Sequence, residues 1–595
     1  MERKPAPLPA LAGAVSFARR HARALVAVLF ALLALAGLPA VRHTGPGLDD
    51  HLERVTLGVN IRAYAGLLGL EDTPFFAGLP EGDIAGNIER DHGQARFYPV
   101  WPVMNALEQA GRPGAATIVY YYYNYLLFLL GLFAVYAILL RLAKSRAAGV
   151  LGVLLLWLNP RFFAASFYNT KDMPFLAFCL AVLWLGLRFA QGRGFGSAVW
   201  FGLAGALAAN GRLLGAAAFG LMGLFYLARL TLQKGWNARA FWRGAAAVGA
   251  FAFFWFLLTP AAWQDPLGFL AFQLGQTANF DPARYSFMVF YRGALYSPAL
   301  NPIPWHYIPW LMLITTPLLV LLLAAAWPVL LAAQNGRRAA GWKSDETLFT
   351  AAAGLLSLGP VAYAMLRRPN LYTGWRQLYF VYGPLVLFAA LSACRLWQLA
   401  RAAAPGRRRV LSGVLAAALA VHLGYYGGFV ARYGPLGGSY FNLLAGPHPE
   451  ERYDADYWNT SLHVLMDEMQ KRDPAFSVVP LSPASHVSAN WYVIAEMGPP
   501  LAEGCEEVSW DRRGRARYVV ENTSYSAIGA LHPFWDEADP AVAEWKRLMD
   551  KETPVYELRC GGTVTWRVYQ NPQYNGPHPE TRAAPPAQRG GEAGG

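Results

Sequence analysis

The stretch IPWLMLITTPLLVLLLAAAWPVLLAA, residues 308–333, decides the fold class. It carries no charge, and about 20 apolar residues are enough for an α-helix to cross the roughly 30 Å of hydrocarbon in a bilayer. Eleven such apolar runs predict a mainly α-helical, polytopic membrane protein of about eleven transmembrane helices, although 147–159 and 174–187 are short for a crossing. The runs are 24–41, 117–140, 147–159, 174–187, 197–210, 213–228, 244–262, 307–333, 347–366, 378–394 and 410–431.

The overall composition favours the same class. Of 595 residues, 55% are hydrophobic and 15% are charged, whereas soluble domains carry about 25% charged residues. Lys and Arg number 51 against 38 Asp and Glu, a net charge of +13. Because this excess lies in the connections between apolar runs, we expect no nucleic-acid partner.

Basic residues fall in alternate connections between the apolar runs. By the positive-inside rule such connections face the cytoplasm. This predicts a protein of the cell's inner membrane with a cytoplasmic N-terminus and an extracytoplasmic C-terminus. A cleaved signal peptide is the alternative for 1–41, although Leu38-Pro39-Ala40 is a poor cleavage site. The basic segments are 3–23, 141–146, 188–193, 229–243, 337–343 and 395–409.

A change of composition after residue 432 predicts three parts. Residues 1–432 form the transmembrane domain, with a long first outer loop at 42–116. Residues 433–570 form a small α+β domain outside the membrane, and the Pro- and Gly-rich tail 571–595 is expected to be disordered. Predicted strands lie at 476–480, 490–495, 517–521, 555–559 and 563–569, and predicted helices at 456–472 and 541–550.

Two of the four cysteines, Cys505 and Cys560, fall in the predicted outer domain. An oxidising compartment favours disulfides. A Cys505–Cys560 bridge is therefore predicted, with two unpaired thiols as the alternative.

Two patterns predict contact with the membrane interface. Leu52–Leu68 is amphipathic and is expected to lie along the membrane surface. Tyr120–Tyr123, followed by Tyr125, is predicted to form an aromatic belt at the outer end of the second helix.

Several basic residues lie at predicted outer helix ends, where the positive-inside rule disfavours them. A charge near lipid costs several kcal/mol unless it reaches water or a partner, so we expect a polar cavity that takes an anion such as a phosphate. Carboxylates on the same side suit a general base beside that anion. The alternative is that the cations extend to headgroups and the acids are solvated. The cations are Arg161, Lys171, Arg212, Arg367, Arg368 and Arg376, and the acids are Asp49, Asp50, Glu53, Asp91 beside His92, Asp172 and Asp265.

Familiar motifs for soluble cofactors do not occur in the sequence. There is no Walker loop, no glycine-rich dinucleotide fingerprint and no Cys/His metal spacing. Nucleotide donors, cofactors and metals are therefore not expected.

Five motifs follow one another along the chain. The longest are NPRFFAASFYNTKDMP (159–174), IPWHYIPW (303–310) and TGWRQLYF (373–380). The others are Asn210-Gly-Arg212 and Thr259-Pro260 with Trp263–Pro266. In this order they resemble the protein O-mannosyltransferase and aminoarabinose transferase group, glycosyltransferase family 39 of the GT-C class. The resemblance covers roughly residues 20–460.

The resemblance implies a membrane transferase that moves a sugar from a polyprenyl-phosphate carrier to a protein, lipid or glycan acceptor on the outer side. In the group an acidic residue of the first outer loop, usually in an Asp-Glu pair, acts as base. The matching pair here is Asp49-Asp50, which assigns the base to Asp49 and a helper role to Asp50. Where the group often has His after Gly-Trp-Arg, this chain has Gln377.

The implied mechanism is a single inverting displacement at the anomeric carbon. Asp49 takes the acceptor proton while Lys171, Arg376 and either Arg161 or Arg212 stabilise the departing lipid phosphate. Further candidates are Asp91, His92 and Asp172, together with Trp305, His306 and Tyr307 as a surface for the sugar or prenyl chain, or as interfacial anchors.

Two other functions fit parts of the pattern. A transporter or flippase of lipid-linked sugars would use the same cations, but transporter sites lie near the bilayer midplane and often come with internal repeats. No repeat is visible, and the candidate charges gather at one face. A binding or assembly scaffold built on the outer domain would leave Asp49 dispensable.

Overall fold

The computed structural model describes residues 20–575 except 48, 88, 193, 279–287, 298–300, 337–338, 372, 475, 482–504 and 525–539. The predicted strand at 490–495, the basic residues before 20 and most of the predicted tail lie outside the described residues. Numbered along the chain, the helices are α1 (Ala22–Arg42), α2 (Asp50–Leu68), α3 (Trp101–Gln109), α4 (Pro113–Leu142), α5 (Arg146–Trp157), α6 (Pro160–Tyr168), α7 (Asp172–Gln191), α8 (Gly196–Gly211), α9 (Leu214–Leu232), α10 (Ala238–Leu258), α11 (Pro266–Ala278), α12 (Tyr307–Thr315), α13 (Leu318–Asn335), α14 (Asp345–Arg367), α15 (Tyr382–Ala402), α16 (Pro405–Tyr433), α17 (Leu462–Arg472) and α18 (Pro540–Met549).

The helices confirm the predicted fold class. Among the described residues, nine helices are long and apolar enough to cross a membrane, so this is a multi-pass membrane protein. They are α1, α4, α7, α9, α10, α13, α14, α15 and α16. Of these, α4, α7 and α15 are the most buried and form the centre of the bundle, while α1, α10 and α16 lie at its edge.

Two of the eleven predicted spans are shorter or more irregular than the nine long helices. The run 197–210 forms α8, whose 16 residues rise only about 24 Å. The run 147–159 forms α5, which bends by 70° into α6. Pro160 ends α5 because the residue before a proline avoids the helical region, and Asn159 is extended there and accepts a hydrogen bond from Arg161 N at 3.1 Å. The pair is a broken span or a re-entrant segment.

Several basic connections meet at one end of the bundle, here called the basic end. Arg141 donates to Gln191 Oε1 at 3.2 Å, and Gln191 Nε2 donates to Asp345 Oδ2 at 3.0 Å. Arg229 Nε donates to Asp345 Oδ1 at 2.8 Å. The connections after α4, α7, α9 and α13 therefore lie on the same side, as the alternation of basic segments predicts.

The C-terminal region folds around a five-stranded sheet. Its strands are β3 (Ser477–Pro480), β4 (Glu506–Glu507), β5 (Tyr518–Asn522), β6 (Tyr556–Cys560) and β7 (Thr563–Gln570), numbered after the small hairpin β1 (Val289–Tyr291) and β2 (Ala294–Tyr296). The order across the sheet is β4-β3-β5-β7-β6. Strand β3 is parallel to β4 and β5, and β7 is antiparallel to β5 and β6. Helices α17 and α18 pack on it through Met466 and Trp545.

The predicted Cys505–Cys560 disulfide is wrong for this structure, in which both described cysteines are unpaired. Cys505 directly precedes β4 and Cys560 ends β6, which are the two edge strands of the sheet. Four strand-to-strand steps of about 4.8 Å place them roughly 19 Å apart, whereas a disulfide needs Cα atoms within about 7 Å. Burial also raises the pKa of the Cys560 thiol well above its usual range.

The chain between α16 and the sheet is inserted tightly against α6. All nine residues of α6 are buried, and the 3-10 turn Gly434–Ser439 lies across it. A Cβ on Gly437 would lie 2.3 Å from the carbonyl oxygen of Pro160, and one on Gly438 would lie 2.6 Å from the Tyr168 hydroxyl. Only glycine lets the turn come this close to α6, so the C-terminal region packs directly against the helical bundle.

Candidate active site

The carboxylates predicted from the first outer loop lie at the start of α2. Asp49 precedes the helix and Asp50 is its first residue. The side chain of Asp49 is 31% exposed, whereas Asp50 is buried. Tyr121 of α4 donates a hydrogen bond to Asp50 Oδ2 and accepts one from Gly47 N at 3.0 Å. This tyrosine holds the chain on both sides of Asp49.

The aromatic-belt prediction is wrong for three of the five tyrosines in this run. Tyr120, Tyr121 and Tyr125 are buried inside the bundle, and Tyr125 donates to the carbonyl of Leu33. Residues four apart share a helix face, so Tyr121 and Tyr125 both point to neighbouring helices. Tyr122 and Tyr123 are half-buried.

Two cations lie beside Asp49. Lys171 directly precedes α7, and Arg376 begins the 3-10 turn that leads into α15. The distances to Asp49 Oδ2 are 4.0 Å from Lys171 Nζ and 3.5 Å from Arg376 Nη1. Both cations stand at the starts of central helices, and their side chains are less than 10% exposed. The structure thus brings Asp49, Lys171 and Arg376 together at the end of the bundle opposite the basic end, here called the site end.

A buried network surrounds Lys171. Its Nζ lies 2.9 Å from both Glu53 Oε1 and Glu89 Oε2. Glu53 Oε2 accepts from Arg96 Nη2 at 2.9 Å, and Glu89 Oε2 lies 3.0 Å from His92 Nδ1. Buried charges persist only when they are paired, and Lys171, Arg96, Glu53 and Glu89 each have a group of opposite charge at 2.9 Å. Asp49 is the most exposed of the carboxylates around Lys171 and so is the one open to a substrate.

Asp50 differs from Asp49 in its surroundings. Burial raises the pKa of the Asp50 carboxyl to about 7, against the opposing effects of Arg54 and the Tyr121 hydroxyl. Asp50 therefore keeps its proton to a higher pH than an ordinary aspartate does. A position behind Asp49 suits the helper role that the resemblance implies.

Arg212 and Asp172 form a second pair near the site. Arg212 Nη2 donates to Asp172 Oδ1, and Asn169 Nδ2 donates to Asp172 Oδ2 at 3.0 Å. Arg212 also lines a cavity of about 520 Å³ between α9, α11 and α14. The walls of the cavity are mostly apolar, and its polar lining includes Asp91, His92, Arg212, Gln273 and Gln377.

Four predicted residues lie apart from Asp49. Arg161 Nε donates to the carbonyl of Tyr440 at 2.9 Å, and its guanidinium stacks on Phe441. His306 Nδ1 is 2.8 Å from the Tyr291 hydroxyl, and Trp305 is exposed. Tyr307 accepts a hydrogen bond from Gly374 N at 2.9 Å, which places it behind the segment that carries Arg376.

Sequence reasoning missed four residues of the site: Glu89, Arg96, Tyr121 and Trp458. The ring of Trp458, from the C-terminal region, lies 4.4 Å from the Arg376 guanidinium carbon. Glu89 could have been found because it is an acidic residue two positions before Asp91. Tyr121 could not be distinguished from the other tyrosines of the aromatic run. No pattern along the chain connects Trp458 or Arg96 to the other members.

Within the described residues, no three His, Cys, Asp or Glu side chains are arranged to hold a metal ion. The cations that the structure describes beside Asp49 are Lys171 and Arg376.

No protein-family model and no curated protein sequence matches this chain. Several solved structures are similar to it, including the following two. ArnT from Cupriavidus metallidurans bound to undecaprenyl phosphate is 14% identical, with 93% of this chain and 99% of that chain covered and a TM-score of 0.41. The arabinofuranosyltransferase AftD from Mycobacteria is 15% identical, with 91% of this chain but 40% of that chain covered and a TM-score of 0.42. At these values the similarity assigns no activity and no residue roles to this chain.

Proposed function

We propose that the protein is an integral-membrane glycosyltransferase that moves a sugar from a polyprenyl-phosphate-linked donor to an acceptor on the outer face of the inner membrane. The observation that carries the proposal is the position of Asp49. It is an accessible carboxylate within 4.0 Å of two buried cations. The sequence resemblance to GT-C transferases assigns the base to the same residue.

The chemistry follows from this arrangement. Asp49 takes the proton of the acceptor hydroxyl, and the acceptor oxygen attacks the anomeric carbon from the face opposite the phosphate. The new glycosidic bond forms as the bond from the anomeric carbon to the phosphate oxygen breaks, with inversion. The polyprenyl phosphate leaves with the electron pair, and the proton on Asp49 passes to water.

Fixed cations at the site end stabilise the phosphate that leaves. In surroundings of low dielectric, preorganised charges act more strongly than in water. Lys171 is shared with Glu53 and Glu89, so we assign the larger part of this role to Arg376. Arg161 is bound to the Tyr440 carbonyl through Nε and stacks on Phe441, so we assign it a smaller part.

The cavity beside Arg212 fits the lipid part of the donor. Its volume of about 520 Å³ lies in the range of pockets for small molecules. Leucines of α9 and α14 supply an apolar wall for the first isoprene units, and Arg212 supplies a cation at the polar end.

Transfer of radiolabelled sugar from a polyprenyl-phosphate donor in membranes tests the proposal. Asp49→Asn keeps the size of the side chain and removes the base, so transfer should fall by at least about 100-fold. Expression should hardly change because the carboxylate is partly solvated. The matched control is Asp345→Asn at the basic end, which should transfer at the wild-type rate.

Near-normal transfer by Asp49→Asn would remove Asp49 from the mechanism. The transporter would be established instead by a different result. The wild-type protein would move the lipid-linked sugar across vesicle membranes without transferring it, and Asp49→Asn would move it equally well.

A further inference from the structure

The C-terminal region contains a turn, residues 454–461, that reaches the candidate active site. Asp456 stabilises the turn internally, because its Oδ2 accepts from the backbone N of Ser461 at 3.0 Å and from the Ser461 hydroxyl. Asn459 adopts the left-handed conformation with φ +56°, which asparagine tolerates better than most residues. The turn therefore has a defined shape that presents Tyr457 and Trp458 on one side.

The sheet of the C-terminal region holds this turn from behind. Ser524, just after β5, accepts hydrogen bonds from Ala455 N at 2.8 Å and Asp456 N at 3.0 Å. Trp566 of β7 donates to the Ser461 hydroxyl at 2.8 Å, and Asn522 of β5 donates to the Asp456 carbonyl at 3.2 Å. The position of the turn is thus set by β5 and β7, which are adjacent interior strands of the sheet.

The front of the turn contacts both halves of the site. Trp458 lies flat enough against Arg376 for a cation–π contact of 4.4 Å. It also packs on Gly47, where a Cβ would come within 2.8 Å of the ring. Gly45 N donates to the carbonyl of Thr460 at 3.1 Å. The segment before Asp49 and the guanidinium of Arg376 are therefore held against one aromatic ring.

We propose that Trp458 is a positioning residue, through which the C-terminal region holds Arg376 and the Gly45–Gly47 segment in the geometry for donor phosphate binding. The proposal rests on the proposed function for the identity of the anion. Trp458 is nearly buried and acts through Arg376 rather than on the substrate. A desolvated cation–π contact fixes a guanidinium that otherwise has several rotamers.

The test measures binding of undecaprenyl phosphate to the full-length protein in detergent micelles. Trp458→Leu removes the aromatic face and should weaken binding about 10-fold, whereas Trp458→Phe keeps that face and should stay within about 3-fold of the wild type. Trp545→Leu, the same change at a buried tryptophan in a separate core of the C-terminal region, is the matched control and should bind normally.

A double-mutant cycle with Arg376→Ala decides whether Trp458 acts through Arg376. If it does, Trp458→Leu adds less than about 2-fold in the Arg376→Ala background. Three results would each overturn the proposal. The fold-losses in binding of the two single variants could multiply in the double variant, Trp458→Phe could weaken binding as much as Trp458→Leu, or Trp458→Leu could bind normally. Should Trp458→Leu elute as aggregate, Gly47→Ala, which pushes a methyl group against the ring, replaces it in the cycle.

The binding assay separates this proposal from the proposed function. Binding with the expected cycle but without sugar transfer would overturn only the transferase. A wild-type protein that neither binds nor transfers would overturn both.

Discussion

The two ends of the helical bundle both pair an arginine with a carboxylate, but in different surroundings. At the basic end, Arg229 and Asp345 lie 2.8 Å apart with side chains 26% and 23% exposed. At the site end, Arg96 and Glu53 lie 2.9 Å apart with side chains 3% and 1% exposed. An exposed pair contributes about 0–1 kcal/mol to stability, whereas removal of one partner from a buried pair costs about 3–5 kcal/mol. Similar distances therefore describe interactions of very different weight.

The comparison also bears on function. Apolar residues of similar volume often stabilise a protein as well as a buried ion pair does, and charges at membrane depth mark functional sites by default. At the basic end, positive charge in the connections is enough to orient the protein in the membrane by the positive-inside rule, and no particular ion-pair geometry is required. The site end keeps three carboxylates within 4.0 Å of Lys171, and the proposed transfer reaction would account for this concentration of charge. They are Asp49, Glu53 and Glu89.

Reporter fusions give an all-or-none test of the difference between the ends. A fusion after Arg409, at the basic end, should be active only with a cytoplasmic reporter. A fusion after Leu436, at the site end, should be active only with an exported reporter, because the spans place these positions on opposite sides. The reverse pattern would show that the membrane topology is inverted and that the site faces the cytoplasm.

Neutralising one carboxylate at each end compares the two ion pairs directly. Glu53→Gln leaves Arg96 and Lys171 short of a buried partner, and we expect the free energy of unfolding to fall by about 3–5 kcal/mol. Asp345→Asn at the basic end should lower it by less than about 1 kcal/mol. Unfolding of the detergent-solubilised protein measures both. Equal losses would show that burial does not distinguish the ends.

The pH dependence of stability sharpens the contrast within the site end. Burial raises the pKa of Asp50 from an ordinary 3.8 to about 7, so between about pH 4 and 7 the folded protein holds a proton that the unfolded chain has released. Stability must fall as the pH rises through this window. The side chain introduced by Asp50→Asn cannot ionise. Relative to the wild type, the free energy of unfolding of this variant should rise by up to roughly 4 kcal/mol between pH 4 and pH 8. Parallel stability curves in thermal unfolding would contradict this burial effect.

Much of the fold follows from local sequence, for stated reasons. Long apolar runs such as those of α13 and α14 predict spans because lipid offers no partner for an unpaired backbone group. Asn159-Pro160 carries a local signal for the break after α5, but the 70° bend depends on what packs around α6. Strand β4 has only two residues, too few for any pattern. The disulfide prediction failed because the order of strands in the sheet separates Cys505 from Cys560, and this order cannot be inferred from residue composition.

The site divides in the same way. Asp49, Lys171 and Arg376 were predicted from motifs and unusual charge positions, and the structure places them together. Tyr121 was assigned to the interface because an aromatic run looks alike whether it faces lipid or a buried carboxylate. Trp458 meets Arg376 from 82 positions further along the chain, and only tertiary packing brings such residues into contact.

The close approach at Gly437 and Gly438 limits how the C-terminal region can be exchanged or removed. A side chain at Gly437 would meet the Pro160 carbonyl at 2.3 Å, so the turn Gly434–Ser439 and α6 must change together. A chimera that takes its sheet from another protein has to retain this turn. Truncation after α16 would uncover the phenylalanines of α6 and yield an aggregating product. The two parts of the chain therefore pack as one structural unit, and we expect neither to fold independently of the other.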